Sequence, residues 1–470
     1  MNFLRTLLCP GLFLALVAGA LAAAPARPNL VVFLTDDHSR ADSTVFGSTD
    51  VKTPNMERVA RAGLTFDHAF VTSPSCAPSR AALLTGLTPA RNGAEPNHSK
   101  PRAEIKKLPA YLQELGYEVV AFGKVSHYQH TGDYGFDHFA HDKYHEDIAV
   151  SAALAWLRAR QSDKPLALFI GTNWPHVPWP ETGEGYVAEN VTIPANHVDT
   201  PQTRTARARC YAAIGRMDSE LGEVFDAANA VLGTNTFFIT TSDHGAQWPF
   251  GKWSLYDGGI RTPMIAVWPG KITAGTRTDA MVSWLDILPT LVAVAGGPAP
   301  QGLDGTSFAG MLRGQTAQHR EKIFTTHSGD GRMNIYPTRS VRTADWKYIR
   351  NLHPGFYYST HVDIVQANDA GGYWGSWDEK AKRDPAAAAT VRRYHERPAE
   401  ELFDLRTDPL ELKNLAADPA QATRLAALRA DVEAWMKVQG DEGKVFAEPR
   451  LLTDPARAAP PSAGAEKKNK

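Results

Sequence analysis

Two adjacent pairs of metal-ligand residues, Asp36-Asp37 and Asp243-His244, supply three carboxylates and one imidazole, a set that suits a divalent cation. Oxygen dominance favours Ca2+ or Mg2+, while the imidazole admits Zn2+ or Mn2+. Each pair alone also reads as a turn or a helix cap. A third cluster, Ser73-Pro-Ser-Cys-Ala-Pro-Ser-Arg80, puts Cys76 just before an expected helix start, where exposed amides favour an anion. Cys76 reads there as a thiolate nucleophile or as a buried thiol, although Ser, Pro and Arg make a poor apolar burial site. Arg80 lies one turn further on and can reach back. Lys124, His127, His176 and Lys252 are unremarkable singly. With Arg80 and a cation they describe a pocket for a compact oxyanion, the charge distribution that in-line transfer of sulfate or phosphate needs.

The elements that must position these residues are legible as apolar runs. Residues 29–35, 166–171 and 236–241 are continuous apolar strands of the buried, parallel type. They end in Asp36-Asp37-His38, in Thr172-Asn-Trp-Pro-His176 and in Ser242-Asp-His-Gly245. Helices are expected over 56–62, 79–85, 108–115, 148–160 and 205–232. Strands alternating with helices predict an α/β sheet covered on both faces, whose ligand crevice lies outside the carboxyl ends of the strands. Cys210, Ile214, Met217, Leu221 and Phe225 recur at helical spacing, so Cys210 is expected in the core.

Beyond about residue 335 the texture changes. Residues 340–349 read as a strand or hairpin arm, 401–405 as a short strand into a turn, and 421–437 as an amphipathic helix with Leu425, Leu428, Val432 and Trp435 on one side. The expected division is a leader over 1–24, a catalytic domain over 25–345, a C-terminal subdomain over 346–450 and a disordered tail over 451–470. Phe356, Tyr357 and Tyr358, with the aromatic stretch from Asp369 to Trp377, either line a sugar or aryl pocket or close the interface between the domains.

Composition sets limits on all of this. Among 470 residues, 50 Lys and Arg against 51 Asp and Glu give a net charge of -1, which argues against a sequence-wide basic binder of nucleic acid and leaves only a local patch open. Three cysteines exclude a disulfide scaffold and a four-thiolate metal cluster. Met1 to Ala24 has a positive Arg5, an apolar stretch and small residues at its end, the pattern of a signal peptide. Cys9 is expected to leave with it. Pro10-Gly11 interrupts the apolar run, and no later run approaches the length of a span. An exported protein, periplasmic or secreted and without a membrane anchor, is the expectation.

Cys76-Ala-Pro-Ser-Arg80 followed by Leu84-Thr-Gly86 resembles the signature of type I sulfatases. Asp36-Asp37, Gly123-Lys124, His176, Asp243-His244-Gly245, Gly251-Lys252-Trp253 and Tyr256-Asp-Gly-Gly-Ile-Arg261 follow the family's order. The resemblance covers about residues 28 to 440. It implies the α/β fold of the alkaline phosphatase superfamily: a large mixed sheet flanked by helices, and a smaller C-terminal domain with a four-stranded antiparallel sheet and a helix. It also implies that Cys76 is oxidised to Cα-formylglycine before folding, by a formylglycine-generating enzyme or an anaerobic sulfatase maturase. The aldehyde hydrate is then the nucleophile, with one oxygen on Ca2+, and Asp36, Asp37, Asp243 and His244 complete the metal shell. Many members carry Asn where His244 stands, which leaves the metal identity open. Lys124 and Lys252 would hold the sulfate, His176 would protonate the leaving oxygen, His127 would act on the second hydroxyl, and Arg80 would orient the hydrate. The spacing Lys124-Val-Ser-His127 replaces the more usual Lys-x-His, and His127 is taken rather than His130.

The C-terminal half is similar to heparan N-sulfatase-like and polysaccharide sulfatases around His327 to Arg342, Asn351-Leu352 and Glu401 to Pro409. His327, Arg332 and Arg339 are candidate contacts for a sugar or its carboxylate, or braces between domains. The resemblance implies a sulfated glycan substrate and an exported carbohydrate O-sulfatase. An N-sulfoglucosamine sulfohydrolase and a phosphonate or phosphate monoester hydrolase are the alternatives.

Overall fold

The computed structural model describes residues 27–365 and 371–459. The expected leader, Cys9 and the end of the expected tail lie outside them. Among the described residues no helix is long and apolar enough to cross a membrane.

Eight strands form the larger sheet: β1 (Asn29–Thr35), β2 (Leu64–Phe70), β3 (Glu118–Gly123), β4 (His138–Ala140), β5 (Leu166–Gly171), β6 (Thr236–Ser242), β7 (Met264–Val267) and β8 (Thr276–Ser283). Their spatial order is β4-β3-β5-β1-β6-β7-β2-β8. The strands from β4 to β6 run parallel, while β7 pairs antiparallel with both β6 and β2. Leu30 to Leu34 in β1 are fully buried, as a strand covered on both faces requires. Because β5 and β6 flank β1 in parallel register, the ends of all three strands open on one edge. Gly171 closes β5 against the turn after β3, where an added Cβ would collide with the Lys124 carbonyl; only glycine lets the two strand ends approach.

Helices α1 (Pro54–Ala62) and α2 (Cys76–Thr85) fall near the expected positions, but α2 starts three residues early. Cys76 is therefore its first residue. The long helix Pro201–Leu232 also starts earlier than residue 205. Thr200 caps it, its side chain accepting from the Thr203 amide, and Pro201 supplies the first helical φ.

A four-stranded antiparallel sheet makes the second layer system: β9 (Ile323–His327), β10 (Thr338–Arg342), β11 (Trp346–Asn351) and β12 (Glu400–Asp404), in the order β12-β11-β10-β9. A division at residue 345 would cut this sheet between β10 and β11. The helix Ala422–Gln439 covers it, burying Leu425, Leu428 and Val432 against Val341, Tyr348 and Leu402. Trp374 and Trp377 are buried, and Trp377 Nε1 donates to Thr203 Oγ1 at 2.8 Å on the long helix. Tyr357 and Tyr358 are buried as well. This aromatic segment packs on the long helix, and Gly372 and Tyr373 line a cavity of about 400 Å³ against Pro201, Thr205 and Arg209; residues 369 and 370 of the segment lie outside the described part.

Candidate active site and metal centre

The site forms where β1, β3, β5 and β6 end. Asp36 and Asp37 follow β1, Lys124 follows β3, His176 follows β5, and Asp243 and His244 extend β6. The amino end of α2 brings Cys76 beneath them. All of these residues, with Arg80, His127 and Lys252, are buried.

Cys76 Sγ lies 3.3 Å from His244 Nε2, 3.8 Å from Asp36 Oδ1 and 3.5 Å from Lys124 Nζ. One ligand atom from each of Asp36, Cys76, Asp243 and His244 falls within 4.8 Å of the others, and Asp37, Cys76 and His176 form a second such group. Arg80 binds Asp243 Oδ2 at 2.9 Å and Asp36 Oδ1 at 3.4 Å, and donates to the Lys124 carbonyl. Asp37 adopts a left-handed φ of 67°; its amide donates to Asp243 Oδ1 at 3.1 Å, so the Asp36-Asp37 and Asp243-His244 pairs are tied together.

The donor set fits a hard divalent cation. Nδ1 of His244 lies 3.0 Å from the Gly245 carbonyl. A carbonyl only accepts, so Nδ1 carries the proton and Nε2 presents its lone pair toward Cys76 and the acids. Nε2 is 3.4 Å from Asp37 Oδ1 and 3.5 Å from Asp243 Oδ2, a convergence that a cation would organise.

Burial and charge compete at each titratable group. Burial works to raise the Asp36 carboxyl, but Lys124, His176, Arg80 and Lys252 outweigh it and hold Asp36 well below the usual range. Asp37 ends above its usual value, because burial, with Asp36 and Asp243 beside it, exceeds the pull of Lys252 and His244. The Cys76 thiol is pushed up to about 12 by burial, against the pull of Lys124 and Lys252. Burial thus works against the thiolate form of Cys76. His176 and His127 are both held well below the ordinary imidazole value, mainly by burial and then by Lys252 and Lys124 respectively.

His127 sits at the rim. Its ring packs 4.7 Å from that of Tyr128, and Tyr128 in turn lies 4.3 Å beneath Lys124 Nζ. Cys210 is buried in the long helix, and neither it nor Cys76 is in a disulfide. Of the three candidate sugar contacts, His327 and Arg339 are neighbours, Arg339 Nη1 donating to the His327 carbonyl at 2.9 Å. His327 is buried, with Nε2 2.7 Å from Asn334 Oδ1. Arg339 is fully buried and grips Asp441 through two nitrogens, as a brace does. Arg332 alone is exposed. Sequence reasoning missed four residues around the site. His98 and Asp330 reach His127 as described below. Tyr144 and His145 place their rings 6.1 and 5.5 Å from His176, at the mouth. No spacing rule singles these out, since each comes from an irregular loop.

The Sulfatase family profile matches residues 28–297. The chain belongs to the sulfatase family. It is a type I, formylglycine-dependent sulfatase of the alkaline phosphatase superfamily, and a profile for the N-sulphoglucosamine sulphohydrolase C-terminal region matches residues 244–363. An ulvan-active sulfatase of Formosa agariphila is 30% identical over 425 residues, 88% of this chain and 81% of the relative. The human N-sulphoglucosamine sulphohydrolase is 27% identical over 470 residues, covering 87% of this sulfatase and 90% of the human chain. In fold the sulfatase also superposes on a phosphonate monoester hydrolase of Agrobacterium radiobacter, with a TM-score of 0.68 at 18% identity, covering 88% of this chain and 96% of that one.

Proposed function

We propose that this sulfatase is an exported O-sulfatase hydrolysing sulfate esters on a carbohydrate, with Cys76 converted to formylglycine and Ca2+ as its resident metal. The observation that carries the reading is the burial of Cys76 at the start of α2, between three carboxylates and three cations. Asp36, Asp37, Asp243, His244 and the side chain at position 76 would hold the metal, which supplies charge stabilisation to the sulfate oxygens. Lys124 and Lys252 flank the same oxygens. His176 presents Nε2 to the leaving oxygen, since its Nδ1 donates to the Val177 carbonyl at 2.5 Å; it delivers a proton from Nε2 as the imidazolium, the form that the negative charge of a bound sulfate favours. His127 accepts a hydroxyl proton at position 76, and Arg80 orients that residue. The converted side chain supplies two geminal hydroxyls: one attacks, and the other allows sulfate to leave without a second attack on sulfur.

A carbohydrate substrate is supported by the ulvan-active relative. The match of the C-terminal profile supports the second reading, cleavage of an N-sulfoglucosamine. Sulfate release from a panel of sulfated mono- and oligosaccharides, including N-sulfoglucosamine, separates the two readings. Enzyme co-expressed with a maturase should show the formylglycine mass in the peptide containing Cys76. Release only from N-sulfoglucosamine would overturn the O-sulfatase reading, and release only of phosphonate or phosphate esters would overturn both.

A further inference from the structure

The chain Asp330–His98–His127 crosses the rim of the site in unbroken hydrogen-bond contact. Nε2 of His98 lies 3.1 Å from Asp330 Oδ1, and Nδ1 of His98 lies 2.8 Å from His127 Nε2. The other oxygen of Asp330 accepts from Trp253 Nε1 at 2.6 Å and from Asn97 Nδ2 at 2.9 Å. Asn97 Oδ1 accepts from the amide of Ala77, on the first turn of α2. The remaining ring nitrogen, His127 Nδ1, is buried and has no hydrogen-bond partner.

Donor and acceptor counting along this chain has one solution for neutral imidazoles. Burial works against the Asp330 charge, but His98, His361 and Asn97 overcome it and hold the carboxyl well below its usual range. Asp330 is therefore an acceptor only, and His98 must donate to it from Nε2. His98 Nδ1 then holds a lone pair and accepts from His127 Nε2. His127 is left with its lone pair on Nδ1, the buried nitrogen without a partner.

We propose that Asp330 and His98 are positioning residues that fix the His127 tautomer with Nδ1 as base, and that His98 takes over the proton His127 receives. This rests on the sulfatase reading for what His127 does, but the tautomer itself does not. The transfer balances simply. A hydroxyl proton at position 76 goes to His127 Nδ1, the Nε2 proton of His127 passes to His98 Nδ1, and His98 becomes a cation against Asp330. The alternative, an imidazolium retained on His127, is disfavoured by burial and by Lys124, with His130 5.4 Å away as the other basic ring. Handing the charge outward moves it from beside Lys124 to beside a carboxylate. His98 is largely exposed, at 59% of its side-chain surface, so its replacement should leave the fold intact.

Two measurements on the full-length protein test the proposal. Side-chain 15N spectra of histidine-labelled protein, with His127 assigned from the His127→Gln spectrum, should show His127 protonated on Nε2 alone. In His98→Leu that preference should collapse to a mixture, and His98→Gln, whose amide both donates and accepts, should restore it. Kinetics on a compact aryl sulfate should show kcat falling about ten- to a hundredfold in His98→Leu with KM unchanged, as loss of a partner behind an active imidazole does. His98→Gln should recover most of it. A wild-type His127 protonated on Nδ1, or a KM that rises while kcat holds, would overturn the proposal and make His98 a substrate contact. Were the wild type to release no sulfate from any ester, the sulfatase reading would fall, and the tautomer spectra would still decide the Asp330–His98 assignment.

Discussion

Lys252 Nζ sits 2.9 Å from each of the two carboxylate oxygens of Asp37. Both groups are buried, so each is the other's main compensation. A divalent cation on Asp37 would share that work. Replacing Lys252 with Ala should therefore destabilise the protein by about 3–5 kcal/mol in EGTA and by clearly less in excess calcium. Thermal melts of both proteins under both conditions check this. An equal loss in the two conditions would remove Asp37 from the metal shell.

The proton delivered by His176 matters in proportion to how badly the leaving oxygen needs it. His176→Ala should cost about 10²- to 10⁴-fold in kcat on a sugar sulfate, whose alkoxide leaves poorly. On an aryl sulfate with an acidic phenol the loss should be tenfold or less. Equal losses on the two substrates would assign His176 to binding instead.

Asp363 gives a pH dependence with a definite sign. Burial raises its carboxyl to about 7, against donation from the Thr360 amide at 2.6 Å and the Tyr394 hydroxyl at 2.9 Å. A group raised above its unfolded value near 3.9 stabilises fully below that value. The stabilisation is lost as the pH climbs through about 7, a total of the order of 4 kcal/mol. Asp363→Asn keeps an acceptor oxygen and never ionises. Urea denaturation should show the variant gaining on the wild type between pH 5 and pH 8; a constant gap would refute the assignment.

Arg339 and Arg332 should separate cleanly. Removal of the buried Arg339 leaves Asp441 unpaired, so Arg339→Ala should cost about 3–5 kcal/mol in stability. Its KM should not change. Arg332→Ala, on an exposed position, should leave stability alone and raise KM for a sulfated oligosaccharide but not for an aryl sulfate. Steady-state kinetics and melts on the two variants measure these quantities.

The convergence of Asp36, Asp37, His176, Asp243 and His244 was legible in the sequence because they sit at the ends of β1, β5 and β6, and a fully buried parallel strand is a conspicuous apolar run. The helix that begins at Cys76 was harder to delimit, since Ser, Pro and Arg carry no apolar period. The aromatic cluster around Trp374 and Trp377 could equally face a ligand or a helix in the sequence, and the bond from Trp377 to Thr203 that packs it on the long helix is tertiary information. Asp330 and Asn97 are 233 positions apart, and nothing local in either loop announces the other. The same holds for the start of the small sheet at Ile323, whose pairing with β10 is tertiary information.

Cys76 retains 2% of its accessible surface, under Arg80 and against Lys124. A processing enzyme has no route to a side chain so enclosed, and opening the first turn of α2 would break the hydrogen bond from Ala77 to Asn97. On the proposed conversion of Cys76, whether a given molecule can ever work would be settled during its biosynthesis and stay with it for life. If Cys76 is converted in only part of the molecules, a purified batch would be a fixed mixture of competent and inert copies with nearly the same shape. Specific activity then measures the history of the preparation as much as the chemistry of the site.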